Sequence, residues 1–187
     1  MARSQNFTGQ LLVATPGLVD PSFRRAVVLV LHHDDEGALG VVLDRPLDVE
    51  VGSILGAWHD VVSPPAALFQ GGPVGLDSAL ALATLRPGAQ PHPAVNRVAG
   101  AFALVDLDAD PADAAQAFTA VRVFAGHSGW GVGQLEEEVS VGGWYVLPAL
   151  ADDVVTPEPS NLWRRVLRRQ GGAMAIVSTY PENPLLN

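Results

Sequence analysis

The chain contains neither cysteine nor lysine. Without cysteine there are no disulfides, no thiol catalysis and no thiolate metal sites, and the chain fits a reducing compartment. All 11 basic residues are arginines, against 20 acidic residues, so the formal net charge is -9. Such a balance repels phosphate backbones, and no helix-turn-helix pattern offsets it, so direct nucleic-acid binding is not expected. Long hydrophobic runs are missing too. A run such as Ala26 to Leu31 falls far short of the roughly 20 residues a membrane helix needs. Met1 to Asn6 has no apolar core after its single arginine, so no signal peptide is expected. The expectation is a cytoplasmic protein with no membrane contact.

A chain of 187 residues, 48% hydrophobic and 17% charged, is long enough to bury a sizeable core as one domain spanning residues 1–187. Gly9 to Ala14 reads as a strand, broken by Thr15-Pro16-Gly17 and a second turn at Asp20-Pro21. Ala26 to His32 is continuously apolar and β-branched, as in a strand buried on both faces. With Ala38 to Leu43 it forms a hairpin around the polar turn His33-Asp34-Asp35-Glu36-Gly37. Val51 to Trp58 suggests a short helix, and Ala79 to Ala83 and Val98 to Val105 suggest strands.

Asp110-Pro111 is a helix start, N-cap followed by proline, with Ala114, Ala117, Phe118 and Val121 facing the core. Val121 to Phe124 and Trp144 to Leu147 read as strands flanking a glycine-rich segment. The final helix begins at Pro159 or Ser160. It buries Leu162, Trp163, Val166 and Leu167, turns four arginines to solvent, and stops at Gly171-Gly172. Strands and helices mix without strict alternation, which predicts an α+β fold.

The most specific stretch runs from Gly126-His127-Ser128-Gly129-Trp130 through Gly131-Val132-Gly133-Gln134-Leu135-Glu136 to Val139. It reads as a shaped loop entering a helix start. A nucleophile elbow requires Gly-x-Ser-x-Gly, and here tryptophan occupies the last position. The glycines lack the lysine and spacing of a phosphate loop, and Glu136, Glu137 and Glu138 would repel a second anion at that helix end. The glutamates are read as capping and solvating the helix. His32-His33-Asp34-Asp35 places at most two ligands on one strand face, where a tight metal site needs three or four. No metal and no cofactor is implied. Arg24 or Arg25 is expected to pair with an internal carboxylate, Glu136 being one such partner.

These motifs resemble the YqgE/AlgH family of bacterial proteins. The match runs through Gly9 to Pro16, Asp20 to Val28, Gly37 to Pro46, Gly71-Gly72-Pro73-Val74, Gly126 to Glu138, and the tail Pro181 to Asn187. The resemblance implies a coiled, bifurcated, mostly antiparallel sheet with flanking helices, and a family without an assigned molecular activity. Some members are labelled putative transcriptional regulators. His127, Ser128 and Val132 stand where members often read Tyr, Ala and Pro, and Asp44-Arg45 replaces a frequent Asn-Lys. A catalytic pairing of His127 with Ser128 would therefore not be family-wide.

The leading expectation is a non-catalytic binding or regulatory protein that contacts a protein partner or small ligand. Its contact surface would combine Gly71, Gly72 and Pro73 with His127, Ser128, Gly129, Trp130, Gly131, Gly133 and Glu136. The alternative is a hydrolase using Ser128, His127 and Glu136, which requires those side chains to converge in a cleft. A regulator that binds DNA directly is the weakest reading.

Overall fold

Leu11, Val13, Leu29, Leu31 and Val41 alternate along their strands with Leu12, Val28, Val30 and Val42, and all are buried. Two opposite faces must then be covered, and two separate apolar clusters do so. The computed structural model describes residues 5–183; the chain's first four residues and 184–187, the end of the family-like tail, lie outside it.

The strands are β1 Gln10–Ala14, β2 Val27–Asp34, β3 Gly37–Val42, β4 Pro46–Glu50, β5 Ala67–Gln70, β6 Val74–Leu85, β7 Val95–Ala99, β8 Phe102–Val105, β9 Phe118–Trp130 and β10 Trp144–Pro148. The helices are α1 Pro111–Ala114, α2 Gln134–Ser140, α3 Ala151–Val154, α4 Leu162–Gln170 and α5 Gly172–Val177. Among the described residues none is long and apolar enough to cross a membrane.

The ten strands form one sheet with a main path β10-β1-β2-β3-β9-β6-β8-β7. Every neighbour on that path is antiparallel. Strand β9 is the fork. One edge pairs with β6 along most of its length. The other edge meets β3 at Ser128 to Trp130, then β5, parallel, at Phe124 and Ala125. This is the expected α+β class, with a curled and bifurcated sheet.

One face of β1 to β3 is covered by α4 through Leu162, Trp163, Val166 and Leu167. The opposite face is covered by Phe7, Trp130, Leu135 and Trp144, the third of these from α2. A third cluster packs Val51 and Trp58, from two short 3-10 turns, onto Ala81, Phe118, Val121 and Val123. The helix expected over Val51 to Trp58 is thus only those two turns, and Ile54 is exposed.

The helix starting at Asp110 is also shorter than expected. The Asp110 side chain does accept from the amides of Ala112 and Asp113, but α1 ends at Ala114. Phe118 and Val121 are buried as strand residues instead, because β9 gains a full ladder with β6. Val98 to Val105 is two strands, β7 and β8, turning at Gly100 with φ +54°. Asp152 lies in the short helix α3, and α5 is a further helix after Gly171.

Candidate functional site

The two glycine motifs, distant in sequence, meet where β5 ends against β9. Gly71 N–H donates to Ala125 O at 2.8 Å, Val42 N–H donates to Gly71 O at 2.8 Å, and the Ser128 hydroxyl donates to the same oxygen at 3.1 Å. A Cβ on Gly71 would lie 2.4 Å from Gly126 O, and one on Gly72 would lie 2.2 Å from His127 O. Only glycine permits this backbone approach.

Gly126 to Trp130 is not the loop expected but the end of β9. Strand pairing with β3 holds it extended, and the alternation of side chains sorts its residues. Ser128 and Trp130 point inward and are buried, while His127 is half-buried and Gly129 exposed. Pro73, Gly131 and Gly133 are exposed, whereas Gly71 and Gly72 are buried.

Gly133, at φ +68°, starts α2 in the left-handed region that favours glycine. The glutamates that follow do more than cap and solvate. Both indole N–H groups of Trp130 and Trp144 donate to Glu138 Oε2 at 2.9 Å, and the Gln134 amide donates to Glu138 Oε1 at 2.9 Å. Phe23 stacks on Trp130 at 6.0 Å and meets Trp144 edge to face at 5.5 Å.

Glu136 pairs with His33, its Oε1 lying 3.1 Å from Nε2. His33 is buried and stacked on Phe7, whose backbone N–H donates to Nδ1 at 3.1 Å. That bond leaves Nδ1 without a hydrogen, so Nε2 carries it and donates to Glu136. His32 and Asp34 share the outer face, as strand alternation requires, and bond to each other at 2.8 Å.

Ser128, His127 and Glu136 do not assemble as a hydrolase would need. The Ser128 hydroxyl is buried against Gly71 O and Glu136 is engaged by His33; no hydrogen bond joins any two of the three.

The Asp20 turn leads to a different site. Ser22 N–H donates to Asp20 Oδ1, and the amides of Phe23 and Arg24 donate to Asp20 O. Arg25 follows with φ +54°, the one non-glycine residue of positive φ among the described residues. This turn splits the sheet's two faces. Phe23 goes under Trp130 and Trp144, whereas the Arg25 guanidinium lies 4.0 Å over the Trp163 ring on the α4 side. Neither Arg24 nor Arg25 therefore reaches Glu136. They bond backbone oxygens of the C-terminal segment: Arg24 to Glu182 O, Arg25 to Tyr180 O at 3.2 Å and Pro181 O at 3.3 Å.

Arg24, Arg25, Arg45 and Arg164 wall a cavity of about 370 Å³ with Asp44, Glu182 and Trp163. Burial pushes the Arg25 guanidinium below the usual arginine range; repulsion from Arg164 adds to this, Glu182 opposes it, and Arg24 contributes less. Asp44 lies at the base, its carboxyl pushed up to about 6 by burial, with Arg45 3.5 Å away and Val27 N–H only partly opposing.

Arg45 also borders an adjoining concavity of about 320 Å³, lined by Pro21, Ser22, Gln70, Gly72 and Pro73. Arg24 and Arg25 also border a more apolar one of about 390 Å³, with Pro16, Leu18, Val19 and Tyr180. Three hollows that share arginine walls therefore surround the early turn.

Four arginines of α4 were expected to face solvent. Arg168 does, but the others are half-buried and engaged. Arg169 grips the buried Asp153 with bonds of 2.6 and 2.8 Å, Arg165 donates to Thr156 Oγ1 at 2.9 Å, and Arg164 donates to Ser178 O.

A family model described as AlgH-like matches residues 11–175. The chain belongs to the AlgH-like family. It is 54% identical over 190 residues to a UPF0301 protein of Streptomyces coelicolor, covering all of this chain and 98% of the relative. It is 49% identical to a UPF0301 protein of Thermobifida fusca, covering 97% and 96%. Among solved structures, the crystal structure of protein DIP2367 from Corynebacterium diphtheriae matches at TM-score 0.89 and 34% identity, covering 96% of this chain and 95% of that one. The solution structure of the AlgH protein from Pseudomonas aeruginosa matches in fold at TM-score 0.69 and 24% identity, covering 97% and 98%.

This AlgH-like sheet gathers groups that no local motif announces. The two tryptophans and Glu138 lie within 15 positions of one another, but β10 must return beside β1 before both indoles reach that carboxylate. Arg24, Arg45 and Arg164 come from three separate segments. Arg122 sits inside the apolar run of β9; its Nη1 donates to Val154 O and Thr156 O and its Nη2 to Pro64 O, while burial pushes its pKa down to about 10. A charged residue at a core position was the one visible hint for Arg122.

Proposed function

We propose that this AlgH-like chain is a non-catalytic cytoplasmic binding or regulatory protein, acting through a protein partner or a small ligand rather than through DNA. The contact face is the concavity that runs from Pro73 and Gly72 past Ser22 and Arg45. The observation that carries this reading is the shared wall at Arg45, which joins the glycine-proline turn to the arginine-lined cavity. Concave surfaces with a few convergent polar groups are the usual form of ligand sites. The absence of a shared hydrogen bond among Ser128, His127 and Glu136 supports binding over turnover. Of the residues expected at the contact surface, Gly72 and Pro73 line this concavity; the exposed Gly129, Gly131 and Gly133 would then serve chiefly to shape the sheet edge and the helix start.

The test fills the concavity without touching the core. Ser22→Trp, at an exposed position, is compared with the parent in thermal-shift screens against small metabolites. Both proteins, and Ser128→Ala, are assayed for turnover of ester, amide and phosphoester substrates. A compound bound by the parent, lost in Ser22→Trp and recovered unchanged supports the proposal. Turnover that disappears in Ser128→Ala overturns it.

A further inference from the structure

We infer that the cavity walled by Arg24, Arg25, Arg45 and Arg164 is a binding site for a phosphoryl group, carried by a small molecule whose organic part lies over Pro16, Leu18 and Tyr180. The inference rests on the reading of this face as a binding surface and names its ligand class.

The first ground is charge. In a chain of net charge -9, four of the 11 basic residues converge on one hollow. A purely structural cluster would be expected to carry matching acids, and the neighbouring arginines of α4 show what that looks like. Arg165 and Arg169 converge on Asp153, with ion-pair distances of 3.7 and 2.6 Å. In the pocket, by contrast, four arginines face two carboxylates, Asp44 and Glu182. Arg24, Arg25 and Arg164 donate to neutral carbonyl oxygens of residues 178 to 182. Among the described residues the pocket's ion pair is Arg45 with Asp44, at 3.5 Å, while the Glu182 carboxylate partly offsets the charge of Arg25. Burial is the main cause that depresses Arg25; repulsion from Arg164 adds to it and Glu182 opposes it.

The second ground is construction. Arg25 is held at positive φ and laid over Trp163, a backbone conformation that a non-glycine residue keeps only where its surroundings impose it. Guanidinium forks match phosphate oxygens in pairs, and a charged acceptor binds them more strongly than a neutral carbonyl. A phosphoryl dianion would therefore compete well with the tail carbonyls. It also answers several positive charges at once, which a single carboxylate does not. The cavity of about 370 Å³ and its apolar neighbour of about 390 Å³ share Arg24 and Arg25. Together they accommodate a phosphorylated small molecule. Asp44 and Glu182 both line the hollow, and such a ligand must tolerate both carboxyl groups.

Titration calorimetry of the full chain at physiological salt tests this with inorganic phosphate, inorganic pyrophosphate and phenyl phosphate, and with citrate and polyglutamate as competitors of other classes. The expected result is saturable binding of pyrophosphate or phenyl phosphate below about 1 mM. Arg24→Ala and Arg45→Ala each weaken it about tenfold or more, Arg168→Ala leaves it unchanged, and Asp44→Asn tightens it. Phenyl phosphate ahead of both inorganic ions assigns the organic body; pyrophosphate ahead of phenyl phosphate keeps the phosphoryl site and removes the apolar half of the inference. Silence with all three phosphates, binding indifferent to Arg24→Ala and Arg45→Ala, or binding of citrate or polyglutamate in preference to the phosphates would overturn it. If the phosphates fail while Ser22→Trp still abolishes another contact, the binding reading survives and the phosphoryl assignment falls. If phenyl phosphate binds and is hydrolysed, the assignment survives and the non-catalytic reading falls.

Discussion

Trp130 and Trp144 meet edge to face with ring centroids 6.2 Å apart, and both deliver an indole N–H to one oxygen of Glu138. Two nearly buried indoles thus depend on a single acceptor that also ties α2 to β9 and β10.

Glu138→Ala leaves both donors unpaired, and an unsatisfied buried polar group costs about 1–3 kcal/mol. We expect a loss of about 2–4 kcal/mol in urea unfolding, with a changed near-ultraviolet signal from the tryptophans. Glu138→Gln keeps one oxygen for the indoles but sets an amide against Gln134, so it should cost about 1 kcal/mol. Equal, small effects from both variants would remove Glu138 from this role.

Gly72→Ala tests the meeting of β5 and β9. The added Cβ would fall 2.2 Å from His127 O and 2.4 Å from Ser128 Oγ, at a φ of +154°. Backbone cannot yield as a flexible side chain does, so the loss should exceed about 4 kcal/mol or prevent folding. Gly133→Ala has φ +68° but nothing within 4 Å, and should cost only about 1–2 kcal/mol. Comparable midpoints for the two variants would show that the close approach is soft.

These pairs of residues mark what could be read in advance. The apolar periodicity of Leu162, Trp163, Val166 and Leu167 placed α4 and its buried face, because packing on one stripe is a local pattern. The glycines of residues 71–72 and 126–133 were legible as backbone constraints, and their juxtaposition was expected. Gly126 to Trp130 nevertheless reads in sequence as a loop, since glycines that permit a close strand crossing look like glycines that permit a turn. Phe118 and Val121 fit a helical stripe equally well, and only pairing with β6 decided against it. The arginine-lined cavity was not legible. Its walls come from the Asp20 turn, the end of β3 and α4, and a long-range cluster of like charges leaves no spacing rule behind.

Arg169 and Asp153 form the shortest ion pair made by α4 among the described residues. Asp153 is 1% exposed; it accepts from Arg169 and from Leu150 N–H at 2.8 Å, and the Arg165 guanidinium lies 3.7 Å away. Removing one partner of a buried pair costs about 3–5 kcal/mol because the other charge is stranded. Arg169→Ala should approach that figure, whereas Arg168→Ala, one position earlier and exposed, should stay within about 0.5 kcal/mol. Denaturant midpoints compare them directly, and matching midpoints would mean Arg165 suffices.

Asp44 gives the fold a pH dependence of unusual sign for a carboxylate. Burial holds its carboxyl at about 6, above the 3.8 of an unperturbed aspartate. Between those values the folded protein binds a proton that the unfolded chain has released, so stability falls as pH rises through the window. Below about pH 4 the penalty is absent, and above about pH 6 it is complete. A shift of about two pH units corresponds to roughly 3 kcal/mol. Asp44→Asn cannot ionise and escapes the penalty. Its stability relative to the parent should therefore improve by about that amount between pH 4 and pH 7. Urea unfolding of both proteins across this range is the measurement. Parallel curves would mean that Arg45 and the Val27 amide fully compensate the buried charge.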